Sequence, residues 1–144
     1  VFVGDPGFGW NEIRSLIDRH PQGHRVRVLG YISEAEKRAL LSAAQAYVQP
    51  SLYEGFGLPV LEAMACGTLV VSSSAGSLRE VGAGGGAFFV DPHSAESIAA
   101  GMAEIQRLSE ADHSSLVARG RAHASSFTWQ ETAKKTLAAF ERYV

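Results

Sequence analysis

The sequence predicts an α/β domain built on a doubly wound parallel sheet, ending in a helical C-terminal tail. Three observations carry that expectation. Short apolar runs rich in Val and Phe recur as far as Val90. Longer stretches with helical spacing or propensity separate them, and beyond Ser94 only helical patterns remain. Runs this short suit strands buried on both faces, and their alternation with helices implies βαβ units with right-handed crossovers.

The elements follow in order. Val1–Val3 reads as the end of a buried strand running into Gly4-Asp5-Pro6-Gly7. Chains seldom open in mid-strand, so the piece is expected to be truncated at its N-terminus relative to a longer protein. Asn11–Arg19 follows as a helix and Val26–Leu29 as a strand. Glu34–Ala44 is the clearest helix: Ser33 and Glu36 stand as a capping box, and Ala39, Leu40, Ala43 and Ala44 share one face. The strand Ala46–Val48, the helix Leu58–Ala65, the strand Leu69–Val71, the helix Leu78–Val81 and the strand Ala87–Val90 complete the alternation. In the tail, Ile98, Met102 and Ile105 line one helix, and Leu116 and Val117 belong to a second. Thr128 with Glu131 caps a terminal helix over 128–144, where Trp129, Ala133, Leu137, Phe140 and Val144 fall at helical spacing. Residues 1–144 are expected to act as one domain.

The totals narrow the function classes. Apolar residues at 46% and charged residues at 19% sustain a packed core. Thirteen basic against fifteen acidic side chains leave a net charge of −2, with none of the basic excess that nucleic acid would attract. The single cysteine, Cys66, excludes an intrachain disulfide, and its place in an apolar helix suggests a small buried hydrophobe. No run approaches the roughly 18 apolar residues of a membrane span, and no charged-then-apolar leader opens the chain. A soluble, cytoplasmic protein is expected. The five histidines show no metal spacing, so no metal is expected either.

One stretch concentrates the chemistry: PSLYEGFGLPVLEAMACGTLVV, Pro50 to Val71. In an open parallel sheet, ligands bind outside the carboxyl ends of the strands, so the loop after Ala46–Val48 lies at the ligand edge. Gly55 and Gly57 permit backbone approaches that side chains would block. Pro59 suits the first turn of a helix starting near Leu58, whose free amides form an anion site. Glu62, one turn beyond Pro59, can accept hydrogen bonds from two neighbouring ribose hydroxyls. Glu54, on the loop, can contact sugar hydroxyls or stabilise positive charge developing on a sugar ring. A nucleotide sugar would satisfy all of these. A plain reading stands beside it: a glutamate near a helix start is favourable by about 0.3–1 kcal/mol without any ligand, and Gly-x-Gly is a common tight turn.

The whole string Glu54-Gly55-Phe56-Gly57-Leu58-Pro59-Val60-Leu61-Glu62 resembles the E-x7-E signature of retaining glycosyltransferases of family 4, the glycogen-synthase/mannosyltransferase type. The resemblance covers essentially the whole chain. Arg27-Val28-Leu29-Gly30-Tyr31-Ile32, Ser77-Leu78-Arg79-Glu80-Val81, Phe89-Val90-Asp91-Pro92 and Phe127-Thr128-Trp129 all resemble segments of that family. It implies the C-terminal, donor-binding half of a GT-B fold, a Rossmann-like domain. By the same resemblance Glu62 would bind the ribose and the amides of Gly55, Phe56, Gly57 and Leu58 the diphosphate and donor sugar. Glu54 would act at the reacting centre, and Tyr31 and Ile32 would meet the base. The donor would be a nucleotide-diphosphate sugar such as GDP-mannose or UDP-glucose, with no cofactor and no metal. The acceptor, a saccharide or lipid-linked glycan, would be held by an N-terminal domain absent from this chain. A peripheral position at the inner membrane is compatible with that full-length protein.

Two departures qualify the resemblance. The family's arginine and lysine at the pyrophosphate would precede Val1, which implies a fragment inactive alone and, through an unpaired strand edge, prone to self-association. Asp5 occupies the place where some relatives carry a basic residue. Competing readings are a nucleotide-sugar epimerase of the same fold, against which Phe56 and the E-x7-E string argue, and a non-catalytic nucleotide-sugar-binding module, against which the pair Glu54 and Glu62 argues.

Other features invite a site and suggest none. Gly4, Gly7 and Gly9 run in the reverse order of a dinucleotide fingerprint. Gly82-Ala83-Gly84-Gly85-Gly86 suits a helix end and loop better than a phosphate cradle. Ser72-Ser73-Ser74 stands at the ligand edge and is a candidate contact for donor or acceptor. Trp129 and Phe140 suit a core, or an apolar face packed on another domain.

Overall fold

The computed structural model describes residues 1–142. The chain divides into two compact units, Val1–Ala39 and one that begins at Leu40.

The first unit contains α1 (Trp10–Arg19), a single 3-10 turn at Gly23–Arg25 and most of α2 (Glu34–Ala43). The two strands expected at Val1–Val3 and Val26–Leu29 shrink to one parallel rung, Phe2 opposite Val28. Phe2 N–H donates to Arg27 O at 2.7 Å and Leu29 N–H to Phe2 O at 3.0 Å. Val1, Phe2, Val3 and Leu29 are all exposed, so little apolar burial rewards a longer ladder here. At α2 the capping box forms as expected: Glu36 N–H donates to Ser33 Oγ at 3.3 Å, and Glu36 Oε2 accepts from Ser33 N–H at 2.8 Å. Ser33 Oγ also donates to Glu36 Oε2 at 2.7 Å, and this bond, followed by the one from Ser33 N–H, holds the Glu36 carboxyl below its ordinary pKa.

The second unit is the sheet and its helices. β1 (Ala46–Gln49), β2 (Leu69–Ser73) and β3 (Phe88–Val90) run parallel in the order β1-β2-β3, with Ala46 opposite Leu69 and Val71 opposite Phe88. β2 is buried along its whole length, as a central strand covered on both faces must be. The alternation of its side chains divides the interior in two. Val70 joins Val60, Met64, Leu78 and Val81 from α3 (Leu58–Cys66) and α4 (Leu78–Ala83). Leu69 and Val71 point the other way and meet Val90 with Ile105 from α5 (Ala95–Arg107). Full burial of each such side chain stabilises by about 1.5–3 kcal/mol. Helices thus lie on both faces of the parallel sheet, the doubly wound arrangement expected from the sequence.

α6 (Glu110–Ser125) and α7 (Trp129–Glu141) complete the described chain. Thr128 caps α7 by accepting from Glu131 N–H at 3.1 Å, but Glu131 does not reach back; its carboxylate pairs with Lys134 at 3.0 Å. Trp129, Leu137 and Phe140 are exposed along α7 and join neither core cluster among the described residues. Val144 and the end of the expected 128–144 helix lie outside the described residues. Met102 is likewise 43% exposed, although Ile98 and Ile105 turn inward as expected.

Candidate functional site

The site is built on the stretch between β1 and α3. Gln49 ends β1 at its carboxyl end, and Pro50–Gly57 forms the loop beyond it. α3 starts at Leu58 with Pro59 in its first turn. Gly57 caps it in a left-handed conformation, φ 97°, and a Cβ there would lie 2.8 Å from Leu78 Cδ2. Glycine is required at that position twice over, by backbone angle and by the fully buried Leu78 pressed beneath it.

Val60, Leu61, Ala63 and Met64 are the buried residues of α3. Leu58, Pro59 and Glu62 occupy the opposite side, with Leu58 and Pro59 exposed and Glu62 half-buried. The helix therefore presents Glu62 on its outward side, one turn from an N-terminus that carries a partial positive charge.

Glu54 is held from two directions. Its Oε1 accepts from Gln49 Nε2 at 2.8 Å and from Ser51 Oγ at 2.9 Å. Gln49 is itself buried, and its Oε1 accepts from Tyr47 OH at 3.0 Å. The backbone oxygen of Glu54 accepts from Ser77 Oγ at 3.0 Å. Gly76, at φ 54°, lies so close that a Cβ would sit 2.7 Å from that oxygen. Among the described residues Glu54 Oε2 makes no hydrogen bond, so one carboxylate oxygen is fixed and the other is open to a ligand.

Two other serines prove to be support. Ser73 Oγ donates to Ser51 O, and Ser72 Oγ lies within reach of Gln49 O at 3.3 Å. Both are fully buried, which corrects the expectation that Ser72 and Ser73 face a ligand; only Ser74 is exposed. Among the described residues every buried side-chain polar atom has a partner. The supporting roles of Gln49, Ser51, Ser73 and Ser77 had no signal in the sequence, although Ser73 and Ser77 lie in stretches noted for other reasons.

Of the residues singled out from the sequence, Glu54, Gly55, Phe56, Gly57, Leu58 and Glu62 share this continuous loop and helix. Tyr31 and Ile32 belong to the first unit, in the turn between Gly30 (φ 66°) and the Ser33 cap; Tyr31 is exposed and Ile32 half-buried. Cys66 is half-buried rather than buried, because it ends α3 on the outward side, where Arg121 reaches its carbonyl at 3.2 Å. His123 lies in the last turn of α6 and is half-buried, with Nε2 2.8 Å from Val81 O. Among the described residues no group of three or more His, Cys, Asp or Glu could hold a metal ion, and no helix is long and apolar enough to cross a membrane.

The model of the family described as glycosyl transferases group 1 matches residues 1–122. The O-antigen chain mannosyltransferase B of Escherichia coli is 37% identical over 136 residues, 92% of this chain but only 35% of its own length. Sucrose-phosphate synthase from Thermosynechococcus elongatus superposes with a TM-score of 0.81 at 30% identity, over 98% of this chain and 37% of that one. The Anabaena protein HepE, solved in complex with UDP-glucose, superposes with a TM-score of 0.77 at 26% identity, over 99% of this chain and 40% of that one.

Proposed function

The chain belongs to the glycosyl transferases group 1 family, and on that premise we propose that it is the donor-binding part of a retaining hexosyltransferase. The observation that carries the reading is the placement of Glu54 and Glu62 on one continuous loop and helix start, with Oε2 of Glu54 making no hydrogen bond among the described residues. In this reading the donor is a nucleotide-diphosphate sugar of mannose or glucose type. The mannosyltransferase relative and the UDP-glucose complex support that class.

Each residue has a role in the proposal. Glu62 accepts the ribose hydroxyls. The amides at Gly55, Phe56, Gly57 and Leu58 take the diphosphate, so a helix terminus supplies the positive charge and no metal is called for. Tyr31 and Ile32 meet the base. Glu54 turns Oε2 to the donor sugar, where a carboxylate stabilises an oxocarbenium-like state. The anomeric carbon–oxygen bond to the diphosphate breaks, a bond from the same carbon to the acceptor oxygen forms on the same face, and the acceptor proton passes to the departing phosphate. The products are a nucleoside diphosphate and the glycosylated acceptor. The acceptor is held by the rest of the protein, and the present 144 residues alone turn over no donor.

Calorimetric titration of the full-length protein with GDP, UDP and ADP, followed by their hexose conjugates, tests the reading. Micromolar binding of one nucleotide supports it and selects the donor class. A folded protein that binds none overturns it.

A further inference from the structure

Phe56 stands between the exposed Gly55 and the buried Gly57, and is itself 47% exposed. Neither half of the core includes it. Its ring instead meets Phe127 edge to face, with centroids 6.3 Å apart and planes at 82°. Phe127 comes from the turn between α6 and α7, where its N–H donates to Ala124 O at 3.1 Å.

Phe127 is backed in turn by His123, whose ring lies 5.0 Å away at 74°. His123 Nε2 is 2.8 Å from the carbonyl oxygen of Val81, a core residue of α4. A carbonyl only accepts, so the imidazole places its proton on Nε2 and is fixed in orientation. Glycines make room for it: a Cβ at Gly84 would lie 2.3 Å from His123 Cε1, and one at Gly85 would lie 3.2 Å from Cδ2. The glycine-rich run after α4 is thus shaped to admit a side chain of α6.

We infer that His123 and Phe127 form a bracket that runs from the core to Phe56 and fixes the loop Glu54–Gly57, making Phe127 a positioning residue for the donor. The inference rests on the site reading given above. Phe127 and Phe56 are 41% and 47% exposed and belong to neither half of the core, so their contact lies outside the packed interior. What the contact removes is the freedom of a ring flanked by glycines, and with it the freedom of the amides that would face the diphosphate.

The test is a double-mutant cycle in the full-length protein, read by nucleotide titration and donor kinetics. Phe127→Ala should weaken nucleoside diphosphate binding about three- to tenfold, the range of one aromatic pair. The donor KM should rise in step while kcat stays within about twofold. Phe127→Tyr, which keeps the ring edge, should restore binding; Phe127→Leu, which keeps apolar bulk without an edge, should not, and it serves if the alanine variant fails to fold. Phe56→Ala combined with Phe127→Ala should bind no more weakly than Phe56→Ala alone. Losses that add in the double variant, or a folded Phe127→Leu that binds like the wild type, overturn the bracket alone. A wild-type protein that binds no nucleoside diphosphate overturns the site reading as well.

Discussion

Gln49 Nε2 donates a 2.8 Å hydrogen bond to Glu54 Oε1, so a residue of the sheet aims the carboxylate of the loop. Because Gln49 is buried and its own oxygen is occupied by Tyr47 OH, the amide cannot turn over without leaving a buried polar group unpaired. The rigidity of β1 is thereby passed to the group proposed to act on the donor sugar.

Gln49→Leu should therefore lower turnover more than donor affinity. Loss of one hydrogen bond to a charged group is worth about 1.5–3 kcal/mol, so kcat should fall about tenfold or more while nucleotide Kd stays within about twofold. Steady-state kinetics together with titration separate the two. Glu54→Ala should act in the same direction and more strongly.

Glu62→Ala should do the reverse. Removing a carboxylate that accepts two ribose hydroxyls should weaken nucleotide binding by about one to two orders of magnitude. Nucleotide Kd measured by calorimetry decides this; an unchanged value would refute the ribose role.

Gly57→Ala should destabilise the fold. A side chain must adopt φ 97° and place its Cβ 2.8 Å from Leu78 Cδ2. Strain of this kind costs about 1–3 kcal/mol. Thermal and denaturant unfolding should both shift downward, and donor affinity should fall as the start of α3 moves.

The capping box of α2 predicts a response to acid. Ser33 lowers the pKa of Glu36 in the folded state, mainly through its hydroxyl and then its backbone N–H. A depressed carboxyl contributes stability above its unfolded pKa, and that contribution is lost as pH falls through the folded value. The loss belongs at and below the ordinary carboxylate range. Ser33→Ala should raise the Glu36 pKa toward that range and flatten the acid dependence of stability, as a residue-resolved NMR titration would show. An unmoved Glu36 titration would contradict the assignment.

What could be read locally was read well. Ser33 with Glu36, Pro59 just inside α3 and the alternation of Leu69, Val70 and Val71 depend on residues a few positions apart, so caps, helix starts and the two-sided sheet followed from pattern alone. Val1–Val3 and Val26–Leu29 carry the same strand pattern yet form one rung, because a strand's length is set by its neighbours and not by its own residues. Trp129 and Phe140 show helical spacing, but spacing does not say whether anything covers that face, and here both are exposed.

The sequence by itself determined the fold class, the family and the paired carboxylates Glu54 and Glu62, since each is written in neighbouring residues or in one unbroken string. Only the tertiary structure decided how the loop is held. Ser73 reaches Ser51 across 22 positions, Ser77 reaches Glu54 across 23, and the ring of Phe127 meets that of Phe56 from beyond α6. The physical reason is range. Propensity and capping act within a turn of chain, whereas the direction of a carboxylate is set by side chains that meet only after the sheet has formed.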